Sequence, residues 1–158
     1  MNDLQGFVST QNIHKYIYHL GLFRQNFNNL EYFLRLYLNK KSGKDNIYAQ
    51  RFINLSQGEV CEKNDITDRK TFSELCKEFN SYQNKNDTID FDEFISFRDA
   101  LAHGRVSSDS IGRMTVIKYS KPKNNQVMVE YKKILKIEDM QKMADKIGEV
   151  YMTISLRG

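Results

Sequence analysis

Nine apolar residues, Ile13, Tyr16, Ile17, Leu20, Phe23, Phe27, Leu30, Leu34 and Tyr37, recur every three or four positions. A strand places alternate residues on one face, so this spacing commits the segment to one long helix with an apolar stripe. Ser9 or Thr10 can cap its start, and the Lys40-Lys41 pair and Gly43 mark its end. Such a helix cannot bury its stripe alone, which makes a mainly α fold the first expectation. A second row, Leu22, Phe33 and Leu36, lies off the stripe and asks for another helix or another copy of the chain.

Other stretches are periodic too. Phe72, Leu75, Cys76 and Phe79 predict a helix after Thr67-Asp68 that stops in the polar run 80–87. Residues 44–67 carry no motif; a short helix over 47–55 and a polar loop over 58–65 are expected. Asp90 is placed to cap a third helix, with Glu93 reaching back to it, and Phe91, Phe94, Ile95, Phe97, Leu101 and Ala102 make this helix nearly all apolar. Beyond Gly104 the period changes to two, through Met114, Val116 or Ile117 and Tyr119, then Val127, Val129 and Tyr131, with a turn cluster at 122–125. That predicts a short β-hairpin. Ile137, Met140, Ala144, Ile147, Tyr151 and Ile154 then form one stripe of a last helix.

A chain of 158 residues with a single Pro fits one domain, 1–158, and can bury a core without disulfides or a structural metal. Cys61 and Cys76 have no second Cys or His at ligand spacing, so both thiols are expected to be reduced and Cys76, on an apolar face, to be core. His14 and His19 stand five apart rather than four, which does not stack them as a zinc pair. The acids Asp87, Asp90, Asp92 and Glu93 lack the Gly and closing Glu of a calcium loop. No metal and no cofactor is therefore expected. The start of the chain has no basic-then-apolar leader and no run approaches eighteen apolar residues, so no membrane association and a cytoplasmic location are expected. The net charge of +4 is modest, but residues 118–136 hold six lysines against one acid, Glu130. Such a run is either a solvated face or a track for a phosphate backbone.

One segment carries chemistry. In Phe94 to Val106 an apolar helix acquires Arg98, Asp99 and His103 and then stops at Gly104. Arg is permanently cationic and forks onto phosphate oxygens, while His both takes and gives a proton near neutral pH, so the pair suits a phosphodiester. Residues five apart on a helix are about 140° round and roughly 7.5 Å along the axis, so the two cannot share a face. Either the helix end frees His103 to turn inward, or two copies of the helix pool their residues.

The string Arg98-Asp99-Ala100-Leu101-Ala102-His103-Gly104 resembles the Arg-polar-x-Leu-x-His-Gly signature of the HEPN (higher eukaryotes and prokaryotes nucleotide-binding) domain superfamily. The resemblance implies a four-helix bundle with the Arg-His element in the third helix and, here, a short hairpin before the fourth. It also implies a homodimer with a composite site and metal-independent RNA cleavage, in which the RNA's own 2′-hydroxyl is the nucleophile. Arg98 then holds the scissile phosphate, His103 serves as base and acid, and Asp99 orients either neighbour. Arg105, Lys121, Lys123, Lys132 and Lys133 are the candidate substrate contacts. Glu31, whose default role is an ion pair with Arg35, resembles a first-helix acid of some HEPN proteins. A toxin or phage-defence effector with a protein antitoxin is the biological expectation. HEPN toxins paired with nucleotidyltransferase antitoxins carry Tyr two places after the His, where this chain has Arg105, so control through that Tyr is not carried over.

Two other readings stand beside the ribonuclease. One is a non-catalytic HEPN module that binds nucleotide, RNA or a protein partner. The other is purely structural, with Arg98 and Asp99 in salt bridges and His103 capping its helix.

Overall fold

The computed structural model describes residues 2–43, 55–60, 63–108 and 113–157, with 2–12 and Ser108 by backbone alone. Four helices and one three-stranded antiparallel sheet make up the described residues, so the fold is mainly α. In chain order they are α1 (Asn2–Lys41), α2 (Phe72–Ser81), α3 (Asp92–His103), β1 (Arg105–Ser108), β2 (Met114–Tyr119), β3 (Val129–Leu135) and α4 (Ile137–Arg157). No described helix is long and apolar enough to cross a membrane. The short helix expected over 47–55 falls almost wholly outside the described residues; 55–60 are exposed and irregular.

α1 begins at Asn2, well before Ser9 or Thr10. A hydroxyl residue inside a helix costs only a few tenths of a kcal/mol, so it need not start one. The chain leaves α1 through Gly43, whose φ of 74° is the left-handed conformation that a glycine adopts without strain.

Residues 1–26 and 92–146 form one compact unit, and 27–91 with 147–158 form another. In the second unit, Leu30, Leu34, Tyr37, Leu75, Phe79 and Ile147 are buried, with the Tyr37 and Phe79 rings edge to face at 4.8 Å. Phe33 stacks on Tyr151, their planes 5° apart, so part of the off-stripe row has a partner within the chain. α2 starts at Phe72, later than Thr67-Asp68 predicts, because Thr71 and Glu74 close a capping box.

Thr67 and Asp68 serve the turn before that helix instead. Arg35 Nη1 donates to Asp68 Oδ1 at 2.6 Å and to the Asp65 carbonyl at 3.1 Å; Nη2 donates to Glu31 at 3.0 Å and to the Lys70 carbonyl at 2.8 Å. Lys70 in turn meets Asp65 at 3.1 Å and Glu78 at 2.7 Å. A single guanidinium, with five donors in a fixed fork, thus ties α1 to the segment that leads into α2.

In the first unit the sheet order is β1-β2-β3. β2 and β3 pair antiparallel, and β1 adds a third strand that the sequence pattern did not show. β3 also begins at Val129, two residues later than the alternation from Val127 implies. The register shifts at Lys118/Tyr119, which leaves Val127 and Val129 exposed and turns Leu135 into the core. The arm beyond is a tight turn: Asn124 and Asn125 have φ of 52° and 60°, and Lys123 pairs with Gln126. Beneath the sheet, Phe23 and Phe97 meet edge to face at 5.1 Å, and Phe94, Ala100, Val116 and Met140 are buried.

Candidate functional site

α3 turns its apolar face, Phe94, Phe97 and Ala100, into the core, and Ala102 and His103 emerge exposed at its end. The helix starts at Asp92, one residue later than a cap at Asp90 implies. Glu93 binds Lys133 at 3.3 Å and Lys146 at 3.4 Å.

Gly104 sets how closely the sheet packs on the helix end. A Cβ built there would lie 2.3 Å from the Ala100 carbonyl oxygen and 2.7 Å from that of Ile117. No side chain fits between those two backbones, so a glycine lets β2 lie directly against the end of α3. The glycine is required by close approach, since its φ is outside the left-handed region. Gly104→Ala must push the backbones apart and is expected to cost about 2–3 kcal/mol, as overpacking of a tight contact does. A thermal midpoint unchanged by the substitution would show that the contact gives way freely.

Arg105 pairs with Ile117 in the β1-β2 ladder, so Gly104 stands across from Lys118. The Lys118 ammonium reaches Asp99 Oδ2 and Glu130 Oε2, each at 2.8 Å. Those two hydrogen bonds, Asp99 first and Glu130 second, hold Lys118 far above its ordinary value, so it stays charged throughout the neutral range. The other oxygen of Asp99, Oδ1, lies 3.8 Å from His103 Nε2, beyond hydrogen-bond length. His103 is solvent-facing, its side chain 65% exposed. Arg98 is half-buried and makes no ion pair among the described residues.

Asp99, His103 and Lys118 are therefore brought together, while no hydrogen bond joins Arg98 to His103 among the described residues. Asp99 does form the salt bridge of the structural reading, but its partner is Lys118 rather than a neighbour on the helix. Lys118 belongs to the site although the sequence marks it only as one of a lysine run. Its signal is the distance across a strand pair whose first strand has one apolar residue, Val106.

The sheet also divides the remaining candidates. Arg105, Ile117 and Lys132 are cross-strand partners in one row, so both cations share the outer face. Lys133 pairs with the buried Val116 and so faces inward, held by Glu93 and 5.6 Å from the centre of the Phe97 ring. Lys121 and Lys123 are exposed near the tip. Cys76 is 1% exposed and burial pushes its thiol far up, which leaves it a core side chain. Glu31 is engaged by Arg35. Among the described residues no group of three His, Cys, Asp or Glu side chains could hold a metal ion. No family model, curated protein or solved structure matches this chain.

Proposed function

We propose that this chain is a metal-independent endoribonuclease of the HEPN type: a four-helix domain with a small sheet between the third and fourth helices, acting as a homodimer. The observation that carries the reading is the end of α3, where an exposed His103 stands beside a carboxylate and an ammonium, with Arg98 one residue from that carboxylate and without an ion pair among the described residues. Arg98 binds a non-bridging phosphate oxygen. His103 takes the 2′-hydroxyl proton, the 2′-oxygen bonds to phosphorus as the bond to the 5′-oxygen breaks, and that oxygen leaves with a proton from an imidazolium. The products are a 2′,3′-cyclic phosphate and a 5′-hydroxyl. Residues five apart on one helix point about 140° away from each other, and this spacing supports a site completed by a second copy. A toxin or phage-defence role, held in check by a protein antitoxin, fits this activity.

The test is incubation of the purified protein with mixed RNA in EDTA beside a His103→Ala control: RNA cut only by the wild type supports the reading. The second reading, a non-catalytic module that binds nucleotide, RNA or a protein partner, is favoured by the lack of a hydrogen bond between Arg98 and His103 among the described residues. It predicts intact RNA in both samples.

RNA affinity is expected to draw on the exposed cations only. Replacing Lys121, Lys123 and Lys132 together by Ala should lower the slope of log affinity against log salt by about 2, since each lost single-strand phosphate contact removes roughly 0.7 of a counterion. Lys133→Ala should leave the slope nearly unchanged, because that ammonium is already committed to Glu93. Equal effects from both variants would contradict the division of the lysines between two faces.

A further inference from the structure

Asp99 is shared between two cations, and the sharing is unequal: 2.8 Å to Lys118 and 3.8 Å to His103. Lys118 has the firmer hold because Glu130 fixes it from the other side at 2.8 Å and because Gly104 brings β2 against the helix end. We propose that Lys118 is a positioning residue of this site: it keeps Asp99 turned from His103, so that no carboxylate closes to hydrogen-bond length on the imidazole. For its part in RNA cleavage this rests on the ribonuclease reading; the control of Asp99 by Lys118 does not.

A carboxylate in direct hydrogen-bond contact stabilises the charged imidazolium strongly, and an imidazolium cannot accept the 2′-hydroxyl proton. The charged groups at this end of α3 are Asp99, 3.8 Å from His103, Lys118 bound to Asp99, and Glu130 bound to Lys118; Arg98 adjoins Asp99 in sequence and Arg105 follows His103 by two residues. Removing the Lys118 charge acts twice in the same direction. It takes away a nearby cation, which favours a second one, and it releases Asp99 to close on His103. Both effects make the ring hold its proton to higher pH. Replacing Asp99 by Asn removes the carboxylate and acts the opposite way.

The test is an NMR pH titration of the His103 ring in the full chain, for the wild type and for Lys118→Met, Lys118→Gln, Lys118→Arg and Asp99→Asn, with RNA cleavage measured on the same samples. The Met and Gln variants are expected to raise the titration midpoint by on the order of one pH unit. Arg, which keeps the charge, should restore most of the wild-type midpoint. In an Asp99→Asn background most of the rise from Lys118→Met should vanish, since its cause is the released carboxylate. In parallel the rising limb of the pH–cleavage profile should move up by a similar interval in the Met and Gln variants. Two neutral variants guard against one that fails to fold. A midpoint that stays put or falls in the folded Met or Gln variant overturns the proposal, even if RNA is cut. A midpoint that rises while the wild type leaves RNA intact upholds the positioning role and removes the ribonuclease reading instead.

Discussion

His103→Ala and Arg98→Ala are each expected to lower RNA cleavage by 10²- to 10⁴-fold, equivalent to roughly 3–5.5 kcal/mol of barrier, while leaving the fold intact. On the proposed reading the imidazole supplies both proton transfers and the guanidinium meets the charge that grows on the phosphate oxygens. Stability should hardly change. His103 is largely exposed and Arg98 makes no ion pair among the described residues, so neither truncation opens a cavity or strands a buried charge. Cleavage assays in metal-free buffer, beside thermal melts of the same samples, separate the two quantities. An Ala variant that loses its melting transition along with its activity would mean that the side chain holds the helix end together, as the capping reading has it.

Arg35→Ala is expected to show the reverse pattern, a large loss of stability at a residue outside the Arg98-His103 site. The Arg35 and Asp68 side chains are only 11% and 9% exposed, so solvent screens their pair little. Removing the cation takes the Arg35 donor from Glu31 and three backbone carbonyls and leaves Asp68 with Lys70 alone, and breaking a buried pair in this way costs about 3–5 kcal/mol. The thermal midpoint should fall by roughly 6–20 °C, at about 2–4 °C per kcal/mol for a chain of this size. Arg35→Lys should fall between, since an ammonium keeps the charge but cannot span the fork's acceptors. The same pair makes stability depend on acid. Burial raises the Asp68 carboxyl, but hydrogen bonds from Arg35 and the Lys70 backbone and the charges of Lys70 and Arg35 outweigh it and hold it below the ordinary value. Folding thus favours the ionised form. That stability is fully present above about pH 4 and is lost as pH falls through the lower folded value, a loss that Arg35→Ala should blunt. A melt within about 2 °C of the wild type would show that water replaces the guanidinium at little cost.

The long helices were legible because their periodicity extends over many residues, and Phe23, Leu30, Leu34 and Ile147 are buried as their stripes require. Short elements were not. β1 spans four residues with Val106 as its one apolar member, so no period can appear; it exists because Gly104 admits β2 against the helix end. The Thr71-Glu74 capping box was present in the sequence, but Thr67-Asp68 offered an equally good local start. Only the tertiary demand of Arg35 for Asp68 decides between them. The third strand set the limit at the site as well. Arg98, Asp99 and His103 lie within six positions on one helix and could be read together, whereas Lys118 reaches Asp99 across a strand pair. Charge alone could not show that Lys132 and Lys133, adjacent in sequence, point to opposite faces of the sheet.

The proposed sharing of the site between two copies is tested most directly by mixing Arg98→Ala and His103→Ala under conditions that let subunits exchange, and measuring RNA cleavage in EDTA. Half of a randomly exchanged population is heterodimer, and each heterodimer keeps one intact combination of Arg98 and His103. A site pooled between two copies predicts that cleavage reappears in the mixture while each variant alone stays inactive. RNA left intact by the exchanged mixture, or cut by His103→Ala on its own, would contradict it.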